Sequence, residues 1–276
     1  MTNYSFRLGT TSYILPDDII PNVRYLAGKV RDVELLLFEV EDGSSNLPDC
    51  GQIAELRKIA ADHDMTYTVH LPLDLRLVDD GTACHASMEK ARRVIETTRE
   101  LGPWAYVLHL DGKSVRDGAA PEAMKRWLDQ TIHSLEIVGE WAGGAEKLAV
   151  ENLEGYPLDF YRPVLERITV SLAVDVGHLW LDGYDPVVYL QKVLPRTRVI
   201  HIHGIDGRDH QSLANMPAKS LRAVLEELVS NDYQGVLTVE VFSEDDFLTS
   251  IVAIRKAMAL LEAKHASEDE EKTRIF

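Results

Sequence analysis

Eight short apolar runs, each closed by turn or cap residues and separated from the next by a segment of helical periodicity, constrain this 276-residue chain more than any other feature. The runs are Phe6–Ser12, Val33–Phe38, Tyr67–Pro72, Ala105–Leu110, Leu148–Leu153, Val170–Val176, Val199–Gly204 and Val236–Phe242. Most are continuous rather than alternating, as parallel strands covered on both faces read. Helical spacing recurs at Ile53–His63, Ala86–Leu101, Pro121–Trp141, Pro186–Val193 and Ala218–Val229, and Tyr156–Ile168 is long enough for one more helix. Strand alternating with helix eight times predicts a single-domain (β/α)8 TIM barrel, a fold that takes about 250 residues. The rival, a doubly wound open sheet, has fewer strands and a Gly-rich first turn, where this chain has TTSYILPDD. The barrel is expected over residues 1–263, followed by a charged tail, 264–276, expected to fray.

Such a barrel carries its chemistry on the loops that leave the C-terminal strand ends. Strand three ends in TVHLPLDL and places His70 there; strand four, YVLHLDG, places His109. Strand five gives Glu151 and Asn152 in AVENLEG, and strand six gives Asp175 and His178 in LAVDVGHLWLDG. Strand seven, VIHIHGIDGRDH, brings His201, His203, Asp206, Asp209 and His210, and strand eight, LTVEVFSEDD, brings Glu240. Six of the ten histidines therefore fall on one rim. Any one of them alone is as well explained by a satisfied core histidine or a surface acid. Together they are not, because carboxylates gathered in one apolar mouth repel unless a cation holds them. Mixed imidazole and carboxylate donors suit one to three divalent ions such as Zn, Mn, Fe or Co better than Mg or Ca. The two cysteines, Cys50 and Cys84, lack metal or disulfide spacing and agree with a reducing, cytoplasmic setting.

The ordered motifs HLP, HLDG, ENLEG, DVGH, HIHG and VE resemble the xylose-isomerase-like barrel superfamily, which includes sugar epimerases and the endonuclease IV group. The resemblance to the epimerases implies one metal held by Glu151, Asp175, Glu240 and either His203 or His201. Both histidines share a parity on the strand and face inward. The resemblance to endonuclease IV implies more: His70 and His109 hold a second metal bridged by Glu151, and His178 with Asp209 and His210 holds a third. There the chain departs from the Asp-x-His pattern, since Asp209 and His210 are adjacent and Arg208 stands at the acidic position. Within the superfamily, TTSYILPDDIIPNVRYL, ELLLFE and HLPLDL are most similar to cobamide-remodelling phosphodiesterases, which cut the nucleotide loop of cobamides.

The expected activity is divalent-metal-dependent hydrolysis of a small-molecule phosphodiester. Glu151, Asp175 and Glu240 carry the catalysis, and Lys113, Asn152, Tyr156 and Arg208 are expected to contact substrate. Tyr13, Leu71, Leu73, Tyr156, Trp180 and Phe242 are placed to line a wide mouth or to pack the core. A metal-dependent sugar (phosphate) isomerase or epimerase is the alternative, and a non-catalytic metal- or ligand-binding barrel is a third reading. Net charge of −16, with 29 basic against 45 acidic residues, argues against nucleic acid as a partner. No basic region followed by an apolar stretch opens the chain and no run reaches bilayer length, so neither a signal peptide nor a membrane is expected.

Overall fold

In the computed structural model, the described residues are 4–38, 45–72, 78–79, 82–83 and 85–274. Eight parallel strands close into a barrel: β1 (Arg7–Thr11), β2 (Asp32–Leu36), β3 (Thr66–His70), β6 (Tyr106–Leu108), β7 (Leu148–Glu151), β8 (Ser171–Asp175), β9 (Thr197–Ile202) and β10 (Val236–Val239). Their order around the barrel is β1-β10-β9-β8-β7-β6-β3-β2, with β2 closing on β1. A two-stranded antiparallel hairpin, β4 (Val78–Asp79) with β5 (Thr82–Ala83), lies between β3 and the next helix and adds to the eight strands expected. Cys84 and Leu73 lie outside the described residues.

The wrapping helices are α1 (Ile19–Leu26), α2 (Cys50–His63), α3 (His85–Thr98), α5 (Pro121–Ala142), α8 (Pro186–Val193), α9 (Ala218–Ser230) and α10 (Glu244–Arg274). Three short turns of helix, α4 (Lys113–Arg116), α6 (Arg162–Leu165) and α7 (Val176–Leu181), sit after β6, β7 and β8. Local chemistry sets the ends. Asp49 and Gln52 form a reciprocal capping box at the start of α2, and Pro186 at the first turn of α8 follows the N-cap Asp185. The connection after β7 yields only the four residues of α6, because Pro157 and Pro163 leave it little helical sequence. The charged segment after Lys264 is α10 backbone as far as Arg274, in keeping with the helix preference of its Ala, Glu and Lys content. Among the described residues no helix is long and apolar enough to cross a membrane.

The strands' apolar runs hide a two-residue alternation. Val33, Leu35, Tyr67, Val69, Val150, Ile200 and Ile202 belong to the large core between barrel and helices. Ala105, Val107, Ala149, Ala173 and Val199 form a separate small cluster inside the barrel. The inward positions of β2, β3 and β10 are polar instead: Asp32, Glu34, Thr68, His70 and Thr238 are all buried. Small or polar inward residues leave room along the axis, and the strand ends above that space carry the histidines and acids.

Candidate metal centre

At the C-terminal rim, Glu151 sits at the centre with only 2% of its surface exposed. Its Oε2 lies 3.2 Å from His70 Nε2 and 3.0 Å from His109 Nε2, while Oε1 lies 3.2 Å from His201 Nδ1. His201 Nδ1 is also 3.2 Å from Glu240 Oε2. Asp175 faces His203 Nε2 at 3.4 Å and His178 Nδ1 at 3.5 Å. His210 completes the rim, its ring centre 4.4 Å from that of His203.

Among the described residues three candidate ligand sets emerge, each with donor atoms within 4.8 Å of one another: His70, His109 and Glu151; Glu151, Asp175, His201 and Glu240; and His178, His203 and His210. His201 and His203 thus both enter, each in a different set. Asp209 joins none of the three. Its side chain is 38% exposed and only approaches His210 Nε2, at 3.5 Å. The physical reason is local: His210 takes a left-handed backbone, φ 51°, in a loop closed by the Gly204–Gln211 bridge, and its ring alone turns inward. Gly177 of the DVGH motif serves the third set, since a Cβ there would stand 2.1 Å from His203 Cε1.

Do these residues fit cations? Where a ligand histidine gives one nitrogen to a metal, the other must be fixed by an acceptor. His70 Nδ1 donates to the Leu71 carbonyl (2.7 Å), His178 Nδ1 to the Asn152 carbonyl (3.0 Å) and His210 Nδ1 to the Glu240 carbonyl (3.3 Å). Carbonyls only accept, so in its neutral form each of these rings carries its lone pair on Nε2. His203 is less committed, with Nδ1 between the His210 amide (3.0 Å) and the Gly204 carbonyl (3.2 Å). Buried Asp175 Oδ2, His203 Nε2 and Glu240 Oε2 have no hydrogen-bond partner among the described residues. Orphaned polar atoms of this kind, two in the four-residue set and one in the histidine set, fit divalent ions.

Electrostatics agree. Burial opposes the charge of Glu151, yet His201 and His109 hold its carboxyl well below the usual range. Burial likewise works against Glu240, and His201 overrides it downward. Burial disfavours protonated His70 and His203, but Glu151 and Asp175 respectively push them up to about 9. His201, beside Glu34, Glu240 and Glu151, is driven well above its ordinary value in spite of burial. Without cations, protonated imidazoles balance the acids.

The expected substrate contacts fare differently. Asn152 is spent on structure: Nδ2 donates to the Asp175 carbonyl (3.0 Å) and Oδ1 accepts from the Asp175 amide (2.8 Å), tying β7 to β8. Tyr156 is buried against Phe160 and Tyr161, its hydroxyl between Asp111 and the Gly112 amide, and it does not line the mouth. Its sequence position after ENLEG implies nearness to the rim but not the direction of the ring. Lys113 and Arg208 are exposed, on α4 and the loop before His210, outside the cavity lining; Asp206 is exposed too. Trp180 packs half-buried on the core rather than in the mouth. Tyr13, Leu71 and Phe242 do line it, in a cavity of about 910 Å3 whose lining combines apolar Ile14, Leu15, Pro16, Leu36, Leu37, Phe38 and Pro72 with His70, His109, Glu151, His178, His210 and Glu240. Sequence reasoning missed Glu34, fully buried in β2, whose Oε2 lies 2.9 Å from His201 Nε2. An acid inside the apolar run DVELLLF was the available signal.

Known proteins share this architecture. Similar solved structures include a D-tagatose 3-epimerase-like protein (17% identity, 94% of this chain and 99% of that one, TM-score 0.75). The 3-keto-D-glucoside 4-epimerase YcjR from E. coli (18%, 94% and 99%, TM-score 0.66) and an endonuclease IV from Thermus thermophilus (17%, 92% and 99%, TM-score 0.67) are also similar. At these identities the likeness speaks for the fold. Among curated proteins none matches the sequence. The model of the xylose isomerase-like TIM barrel family matches residues 30–264, and the chain belongs to that family.

Proposed function

We propose that the protein is a divalent-metal-dependent hydrolase of a small-molecule phosphodiester. The observation that carries this reading is the number of ligand sets: beyond the four-residue set at Glu151, Asp175, His201 and Glu240, two further histidine-rich sets adjoin it. Divalent ions such as Zn, Mn, Fe or Co held there would supply Lewis acidity toward phosphoryl oxygens and lower the pKa of a water. Glu151, with one oxygen toward His70 and His109 and the other toward His201, keeps two sets at a fixed separation. Asp175 and Glu240 each carry an oxygen with no hydrogen-bond partner among the described residues, so either can orient the attacking water and take its proton. The apolar lining of the 910 Å3 cavity suits a bulky substrate with little polarity away from its phosphodiester. The nucleotide loop of a cobamide, suggested by ELLLFE and HLPLDL, is a bulky phosphodiester whose aromatic base offers such a lining an apolar face. The test is Glu151→Ala: loss of bound metal and a fall of about 100-fold or more in phosphodiester cleavage is expected. Undiminished hydrolysis would remove the assignment.

A second reading, a sugar isomerase or epimerase, is favoured by the four-residue set, which suffices for one metal, and by the similar structures of epimerases. In it Glu151 and Glu240 exchange a proton with a substrate carbon. One metal per chain together with exchange of a carbon-bound substrate hydrogen would decide for it.

A further inference from the structure

The ring anchors differ in kind. His70, His178 and His210 each give a nitrogen to a backbone carbonyl, an acceptor no side-chain substitution can remove. His201 has no such anchor among the described residues: its Nε2 lies 2.9 Å from Glu34 Oε2, and both residues are wholly buried. The reason lies in the barrel. His201 stands within β9, paired to Asp175 on β8 and Thr238 on β10, so neighbouring carbonyls are committed to the strand ladders. Its ring instead meets a carboxylate from β2, a strand separated from β9 by β1 and β10. The other oxygen of Glu34, Oε1, has no partner among the described residues, so its known commitment is to His201 alone.

We infer that Glu34 is a positioning residue: it holds the His201 proton on Nε2 and thereby turns the Nδ1 lone pair toward the Glu151–Glu240 pair, 3.2 Å away from each. Glu34 touches neither substrate nor metal in this scheme. A carboxylate buried with one protein hydrogen bond is a poor stabiliser of the fold. A neutral imidazole bonded to a carboxylate is a well-oriented and more basic ligand. The inference rests on the metal centre of the proposed function and deepens it.

Metal affinity, measured by chelator competition on the full chain with Co2+ and Zn2+, tests it without recourse to activity. Glu34→Leu is expected to weaken one of the bound ions by about 10- to 100-fold and to alter the Co2+ absorption spectrum. Its metal-free Tm is expected to equal or exceed that of wild type. Glu34→Gln, whose amide oxygen still accepts from Nε2–H, should recover most of the affinity. Wild-type affinity in Glu34→Leu, or a loss matched by a lower metal-free Tm, overturns the inference and leaves the proposed function standing. A wild-type protein that binds no cation overturns both. Nitrogen NMR of isotope-labelled histidine in the Zn2+-loaded wild type gives a readout free of any folding defect: His201 protonated on Nε2 supports the assignment, and protonation on Nδ1 overturns it.

Discussion

One part of the mouth, its polar wall, is lined by imidazoles and carboxylates at strand ends or just beyond them, and the rest, its apolar wall, by apolar side chains, most of them on the segments after β1, β2 and β3. The first wall is braced by geometry: Glu151 spans two ligand sets, ring nitrogens are pinned to carbonyls, and Gly177 leaves no space for a methyl beside His203. The second wall is held by packing, with Leu37 and Leu71 buried but Phe38 and Phe242 at 40% and 46% exposed. Rigid strand ends can fix reacting groups to the tolerance that chemistry needs, whereas loop side chains can change shape and size with little loss of order. The two walls should therefore answer mutation differently, the one by losing metal and the other by losing preference among substrates.

The sharpest way to break that contrast is Gly177→Ala. A Cβ 2.1 Å from His203 Cε1 cannot be accommodated without moving the ring, so the His178, His203 and His210 set is disrupted. The expected outcome is one metal fewer per chain by elemental analysis and a loss of phosphodiester turnover of about 100-fold or more. Retention of full metal content and rate would mean the polar wall is as forgiving as the apolar one.

That contrast also explains what can be read from sequence. Strands and their candidate ligands are legible because a histidine or acid closing an apolar run has few structural reasons to be there, and the barrel topology gathers all such ends on one face. Glu34 escapes because it lies in the interior of its run; only the inward parity of β2 brings it to His201. His201 and His203 cannot be told apart because sequence gives parity but not height along the barrel axis, and one residue pair higher means a different ligand set. Tyr156 departs from expectation for the reverse reason: it does lie near the rim, but Phe160 and Tyr161 draw its ring into an aromatic cluster. The apolar wall has no periodicity to reveal it, and its members come from loops whose direction depends on turns.

A second, smaller effect separates the walls by pH. His70 and His203 have folded pKa values of about 9 against about 6.5 for a free histidine, so they bind protons in the metal-free fold that the unfolded chain releases first. Their stabilisation of the metal-free protein is complete below about pH 6.5 and is lost as pH rises through about 9. Metal binding requires these same protons to leave, so affinity should climb across the same window, by up to about tenfold per pH unit for each proton released. Calorimetric metal titrations between these limits, paired with metal-free melting curves, should show the two slopes with opposite sign. A metal affinity that does not change with pH would show that these imidazoles are not ligands.

The smallest expected effect belongs to the apolar wall, at Phe38. Its backbone amide donates to Asn46 Oδ1 (2.7 Å), a bond that survives loss of the ring, and the half-exposed ring packs little protein. Phe38→Ser should therefore leave the melting temperature and metal content nearly unchanged. What it removes is apolar surface that a bulky substrate would cover, worth on the order of 1.5 kcal/mol, or about tenfold in KM for such a phosphodiester with kcat kept. A compact phosphodiester that reaches only the polar wall should be cleaved as before, since its reacting oxygens meet none of the removed surface. An equal loss for compact and bulky substrates would tie Phe38 to the chemistry and erase the division between the two walls. An unchanged KM for the bulky substrate would instead make this wall a packing surface, and would return a small polar substrate, and with it the epimerase reading, to the front.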